Sequence, residues 1–325
     1  MSTENHLNNK QLENLAILLS KITSNQKSIT IERFEDEYIG FVRSNHSIAY
    51  RISVDVTFKH LTKYFSKEMI LDTITQREVE RFIDAIKKHA PEGYRVYYRN
   101  LKAAFNKAMD WGYIYDNPFK KIKLPKRQLN KPEFITEEEL NKILKHIELK
   151  AFKIGCPIKK KVSLLIIADV VKTAYLTGMR LGEVNNLRWE NVKLEQKYLI
   201  VGDNKFTTKG RKQRIMPIAE KLNEMLSTRK LKCANKNDFV FSVNGQKAFS
   251  NDYISKTFKN ICREVGIDEI IRFHSLRHSF ASNLAQKGVS PFQLKELLGH
   301  SSLAVTEKYS HLNIESLREA INKFN

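Results

Sequence analysis

Apolar residues recur at helical spacing in short blocks through the first third of the chain, from Phe34 to Val42, Tyr50 to Tyr64, Val79 to Ile86 and Tyr94 to Met109. Spacings of three and four predict helices that each turn one face to a core. Thr75, ahead of Gln76-Arg77-Glu78-Val79, reads as an N-cap, because its hydroxyl can accept a first-turn N–H and acidic side chains suit that end of the helix dipole. Lys87, Lys88, Arg95, Arg99, Lys102 and Lys107 are interleaved with Tyr94, Tyr97, Tyr98 and Phe105. A helix there can bury its aromatics and turn its cations to phosphates or simply to water, and the segment alone leaves both open.

The pattern breaks at Asp116-Asn117-Pro118 and again at Leu124-Pro125, within a crowd of lysines. Proline fixes φ and disfavours helix in the residue before it, so this stretch predicts an extended linker. Thr136-Glu137-Glu138-Glu139-Leu140 then starts another helix, and Val162 to Leu176 is a long apolar one. The period then changes to that of strands at Lys197–Val201 and Arg214–Ile218, around a turn at Thr207-Thr208-Lys209-Gly210-Arg211, with Phe239–Ser242 as a further strand. Helical spacing returns at Asp252–Arg263, Ser275–Gln286, Pro291–Leu298 and Ser316–Lys323. The expected fold is mainly α with a small antiparallel β-sheet, in two domains. Its parts are an N-terminal extension over 1–28, a helical domain over 29–116, a basic linker over 117–132 and a larger domain over 133–325.

Composition narrows the partners. Across 325 residues the formal net charge is +20, and such an excess of Lys and Arg displaces counterions from phosphate backbones. Nucleic acid is therefore the first expectation, although ribosomal and membrane-surface proteins share that charge. A hydrophobic fraction of 42% with 10% aromatics is that of a folded chain. Cys156, Cys233 and Cys262 lie far apart, which argues against a zinc ribbon and a disulfide framework and for reduced thiols. The amino terminus lacks a basic segment and a cleavage site, and no apolar run is long enough for a bilayer, so a soluble intracellular protein is expected.

Several residues could serve phosphoryl transfer, which needs a nucleophile, cations on the non-bridging oxygens and a proton for the leaving oxygen. His274 and Arg277, three apart, share a helix face, and Arg180 follows a Thr-Gly break that would aim it outward at the start of a new helix. Taken singly each has an ordinary reading. Glu183 can orient Arg180 or form a surface ion pair, His300 can cap a helix end, Lys209 can be solvated in its turn, and Tyr309 can be a packing residue. His274 and His278 have a zinc-protease spacing, but Ser275 stands where that motif needs glutamate.

Order and spacing join these residues. Thr177-Gly178-Met179-Arg180-Leu181-Gly182-Glu183, a lysine in a turn between strands, His274-Ser275-Leu276-Arg277-His278, Leu298-Gly299-His300-Ser301, and Tyr309 nine positions after His300 resemble the tyrosine recombinase (phage integrase) family, Xer-like and integrative-element integrases in particular. The resemblance covers the whole larger domain as a catalytic domain, and the helical domain and its linker as the family's SAM-like core-binding domain and hinge. It implies a site-specific DNA recombinase or integrase working through a covalent 3′-phosphotyrosyl intermediate. Arg180 and Arg277 would hold the scissile phosphate, Lys209 would protonate the leaving 5′ hydroxyl, and His274 and His300 would assist by proton transfer and hydrogen bonding. Tyr309 would be the nucleophile and Glu183 the acidic residue that orients the site. No cofactor and no metal would be needed.

The implied partners are double-stranded DNA target sites, a homotetramer on synapsed DNA, and an accessory DNA-bending or directionality protein, in a cytoplasmic, nucleoid-associated setting. A tail helix over Ile314–Phe324 would pack into a neighbouring subunit or fold back on its own domain. Two other readings stay open: a type IB topoisomerase, and a catalytically inactive DNA-binding regulator. Residues 1–28 are shorter than the arm-binding domain of bivalent integrases, and the basic stretch Glu148–Lys161 has no counterpart in an ordinary turn.

Overall fold

In the computed structural model, which describes residues 28–125, 133–202, 213–231, 235, 238–300, 302 and 306, the chain divides into two units, Met1–Gln128 and Leu129–Asn325. The smaller unit is built on helices α1 (Ile31–Asn45), α2 (Ile48–Tyr64), α3 (Gln76–His89) and α4 (Tyr94–Asp110), with a 3₁₀ turn at Leu71–Thr73. Thr30, Ser47 and Thr75 cap the first three by accepting N–H groups of the first turn, and Thr75 with Glu78 forms a full capping box. The apolar faces meet in an aromatic core: Phe34 lies 6.1 Å from both Phe58 and Phe105, ring centre to ring centre, and Phe82 is fully buried. Burying each such ring contributes roughly 1.5–3 kcal/mol. One polar device sits in this core, where Asn100 donates to Ser53 Oγ at 2.9 Å and Thr57 Oγ1 at 3.0 Å, pinning α4 to α2.

The first part of the expected linker is folded onto α4 rather than extended. Asn117 is fully buried and donates to the Lys102 carbonyl at 2.9 Å and to Asn106 Oδ1 at 2.7 Å. Phe119 follows it into the core, 4.8 Å from Phe105, while the Tyr98 hydroxyl donates to the carbonyls of Phe119 and Ile122. An aromatic ring and a side-chain amide with a backbone partner outweigh the extended preference that the prolines suggest. Two lysines of α4 lie over aromatic rings, Lys107 over Phe41 of α1 and Trp111 just past its own helix, and Lys102 over Tyr98.

The larger unit is organised around α6 (Ile158–Thr177), a helix apolar on nearly every side and buried through Ile166, Ile167, Val170, Val171 and Ala174. It packs against α5 (Glu137–Ala151), capped by Thr136 as expected, and against α10 (Ser275–Gln286). Between them the chain forms α7 (Leu181–Asn185), a 3₁₀ turn at Trp189–Asn191, a sheet of β1 (Val192–Lys193), β2 (Tyr198–Val201) and β3 (Arg214–Pro217), then α8 (Glu220–Lys230) and α9 (Asn251–Glu264). The sheet is antiparallel in the order β1-β2-β3, with Leu199 opposite both Val192 and Met216. Helix α11 (Pro291–Leu298) closes the described part, opened by a Ser290–Gln293 capping box with Pro291 in the first turn.

One strand expectation fails. Phe239–Ser242 forms no strand; Phe239 makes a single bridge to Arg188, and Phe241 is fully buried. Burial alone accounts for that apolar run, and the sheet's third member is the two-residue β1, too short to show alternation. The Glu148–Lys161 stretch covers the end of α5, a turn and the start of α6, and leaves Leu149, Phe152, Ile154 and Ile158 exposed, with Lys161 over the Phe152 ring. Cys156 and Cys262 are free, and burial pushes the Cys262 thiol up to about 11, which disfavours its reactive thiolate. Among the described residues no helix is long and apolar enough to cross a membrane. Residues 1–27, most of the strand-connecting turn, Cys233 and the tail helix lie outside the described residues.

Candidate active site

The site begins where α6 ends. Gly178 stops the helix in the left-handed region at φ 63°, a conformation that disfavours any Cβ. A Cβ here would also run into the ring of Phe280 and come within 2.9 Å of Leu298 Cδ2, so α10 and α11 press directly on this backbone. Gly178→Ala is accordingly expected to destabilise the larger unit by about 1–3 kcal/mol, read as a lower denaturant midpoint at unchanged slope. An unchanged midpoint would show that the turn relaxes freely.

Two residues on, Arg180 occupies the N-cap of α7 and is about one-third exposed, as its position after the Thr-Gly break predicts. Its backbone N–H donates to Glu183 Oε2 at 2.9 Å and its Nη1 to Glu183 Oε1 at 2.9 Å. Glu183 itself is 4% exposed, so the surface-pair reading gives way to a buried carboxylate. Its second cation is Arg214 on β3, which donates from Nη2 to Oε2 at 2.7 Å and from Nη1 to Oε1 at 3.2 Å. Burial acts to raise the Glu183 pKa, but the hydrogen bonds and charge of Arg214, with the Arg180 N–H and guanidinium, outweigh it and hold the carboxyl below its ordinary value.

That shift ties stability to pH. Unfolded, Glu183 titrates near 4.5; folded, it stays ionised lower. Its contribution is present above about 4.5 and is lost as pH falls through the depressed folded value. Thermal unfolding between pH 7 and 3 should therefore show wild type and Glu183→Gln converging at the acid end. A gap that does not change with pH would remove the ionised clamp from the account.

Arg277 lies in the first turn of α10 and is 3% exposed. Its Nη1 donates to the Gly178 carbonyl at 2.8 Å and its Nη2 to the Leu298 carbonyl at 2.6 Å, which fixes the plane of the guanidinium. The neighbouring carbonyl, Leu297, accepts Arg214 Nε at 2.9 Å. Helix α11 then ends at Gly299, left-handed at φ 64°, against whose Cα side Arg214 packs. His300 follows, its N–H donating to the Lys295 carbonyl and its Nδ1 paired with Thr306 Oγ1 at 2.8 Å, which orients the ring. His274 precedes α10, with its ring perpendicular to that of His278 at 4.9 Å.

Five residues singled out from the sequence, Arg180, Glu183, His274, Arg277 and His300, thus come from elements that converge at the α6–α7 turn and the ends of α10 and α11. Lys209 and Tyr309 lie outside the described residues. Arg214 went unnoticed in the sequence, where it reads as an ordinary strand residue. No sequence signal marks it, because its partners Glu183 and Leu297 lie 31 residues before it and 83 after it. Two guanidiniums, those of Arg180 and Arg214, hold the Glu183 carboxylate, and a third, that of Arg277, is fixed by the Gly178 and Leu298 carbonyls, so the cluster keeps a net positive charge suited to a phosphate diester.

The model of the phage integrase family matches residues 133–316, and that of the phage integrase SAM-like domain matches residues 30–124. The chain is 29% identical over 300 residues to a tyrosine recombinase of Thermosipho africanus, a match that spans 90% of this chain and 98% of that protein. Among solved structures it resembles a Tn1549 transposon integrase in complex with a circular intermediate DNA, with a TM-score of 0.72 at 18% identity over 92% of this chain and 100% of that one. A lambda integrase tetramer bound to a Holliday junction matches with a TM-score of 0.66 at 19% identity, over 91% and 88%. At such identities the likeness to the two structures is one of fold.

Proposed function

This chain belongs to the phage integrase family, and we propose from that premise how its own residues carry out the chemistry. It is a tyrosine-type site-specific DNA recombinase, a function supported by its tyrosine recombinase relatives. Residues 29–116 are its core-binding domain, 117–132 the hinge and 133–325 the catalytic domain. Arg180 and Arg277 bind the non-bridging oxygens of one phosphate in duplex DNA. The Tyr309 oxygen attacks phosphorus and the bond to the 5′ oxygen breaks, leaving a 3′-phosphotyrosine. Lys209 gives a proton to the departing 5′ oxygen, while His274 and His300 assist, one of them accepting the phenol proton and the other hydrogen-bonding the phosphate. The phosphate diester is conserved in number, so the 5′ hydroxyl of another strand can reverse the step without ATP.

The observation that carries this reading is the linked pair of guanidiniums. Arg277 is oriented by the Gly178 and Leu298 carbonyls, and Arg180, two residues from Gly178, is oriented by Glu183. Donors fixed in advance stabilise a five-coordinate phosphorus without reorganising at the moment of reaction. Four copies act together on two paired duplexes, a reading supported by the lambda integrase tetramer bound to a Holliday junction. An accessory DNA-bending or directionality protein sets the direction of exchange, and the protein works at the nucleoid.

The test is recovery of the covalent intermediate. The purified chain is incubated in EDTA with sheared DNA from its host and stopped with detergent. Protein-linked fragments are then separated and sequenced. Fragments sharing one core sequence are expected. Two copies of that core on one plasmid should then recombine, whereas a topoisomerase would only relax the plasmid and a binding regulator would trap nothing covalently.

A further inference from the structure

We propose that Arg214 is a positioning residue for strand cleavage, holding Glu183 against Arg180 and the end of α11 against both. The proposal rests on the recombinase reading and adds a residue to it. Arg214 is well placed for the task because all three of its nitrogens are spent inward. Nη1 and Nη2 chelate the Glu183 carboxylate at 3.2 Å and 2.7 Å, and Nε reaches the Leu297 carbonyl at 2.9 Å. Its side chain is only 11% exposed, against 31% for Arg180. A guanidinium so committed is not the one that meets substrate; it sets the group that does.

The bonds close a ring through the site. Arg180 is held by Glu183, Glu183 by Arg214, Arg214 holds Leu297, and the next carbonyl, Leu298, is held by Arg277, which returns to Gly178 beside Arg180. Two residues beyond Leu298 stands His300. Arg214 is therefore the link that registers the α11 end, with its histidine, against the phosphate-facing arginine on α7. The close approach of Gly299 to Arg214, where an added Cβ would lie 3.2 Å from Cδ and Nη1, shows how tightly that register is drawn.

Lysine cannot replace this fork. An ammonium keeps the charge beside Glu183 but cannot span two carboxylate oxygens and a carbonyl 83 residues away in sequence. On a nicked duplex built from the core sequence recovered above, Arg214→Lys is expected to cleave on the order of 10- to 100-fold more slowly in a single turnover, the scale on which loss of an orienting group acts. Its affinity for the intact duplex should stay within about two-fold of wild type. Arg214→Gln, smaller and neutral, should give a similar or larger loss and serves if the lysine variant does not fold. Combined with Glu183→Gln, either variant should be little slower than the slower single one, because both break the same link.

A wild-type rate in Arg214→Lys would overturn the proposal, as would a parallel fall of cleavage and affinity, or losses that multiply in the double variant. Failure of wild type itself to form the adduct would instead sink the recombinase mechanism, and the two results are read on the same gel.

Discussion

Tyr309→Phe is expected to abolish the covalent protein–DNA adduct entirely while leaving noncovalent DNA affinity within about two-fold. The substitution removes one oxygen from a chain whose charge of +20 supplies the sequence-independent part of binding, so affinity has no reason to move. In the proposed mechanism the reaction has no other route. A phosphotyrosine requires the phenol oxygen, and attack by any other hydroxyl would leave a different linkage, which peptide mapping of the adduct distinguishes. The measurement is a denaturing gel of a labelled nicked duplex, where wild type shifts the DNA and the variant does not. An undiminished adduct in Tyr309→Phe would place the nucleophile elsewhere and dismantle the assignment.

Arg277→Ala carries the second large effect, and here the structure changes what should be measured. A phosphate contact alone predicts lost cleavage with intact folding. Arg277, however, is 3% exposed and satisfies the carbonyls of Gly178 and Leu298. Truncation orphans two buried acceptors and opens a void, at a cost on the order of 2–5 kcal/mol. Cleavage should fall by about 10³-fold, the scale for losing a preorganised donor to the transition state. Unfolding should shift in the same variant. Rates must therefore be taken well below its melting temperature, beside Arg277→Lys, which keeps the charge and one carbonyl bond. Near-normal cleavage in the alanine variant at a temperature where it is folded would refute the phosphate role.

Much of the frame was legible because it is written in local chemistry. Ser290 before Pro291, and Gly299 after Leu298, bound α11 to the residue, and Thr75 and Thr136 mark their helices through capping boxes. The left-handed Gly178 is likewise announced by its place at the end of an apolar helix. What stayed hidden depends on distant partners. Nothing near Arg214 reveals a carboxylate 31 residues upstream and a carbonyl 83 residues downstream. Phe239–Ser242 looked like a strand because β-forming residues are also good core residues, and burial of Phe241 without pairing uses only the second property. Asn117 and Phe119 were masked by the prolines and lysines around them, although a lone aromatic in a cationic stretch is a hint that the chain returns to a core.

The ring of bonds through the site also sets a timetable for a chain emerging from a ribosome. Gly178 waits for Arg277, 99 residues later, and Arg214 for Leu297. The small unit, complete by residue 128, can fold while the rest is still being made. Until α11 is in place, Arg214 lacks the Leu297 carbonyl, and Glu183 and Arg180 have only part of their surroundings. Long-range closure thus works as an interlock: the arginine cluster is complete only once α11 has been made.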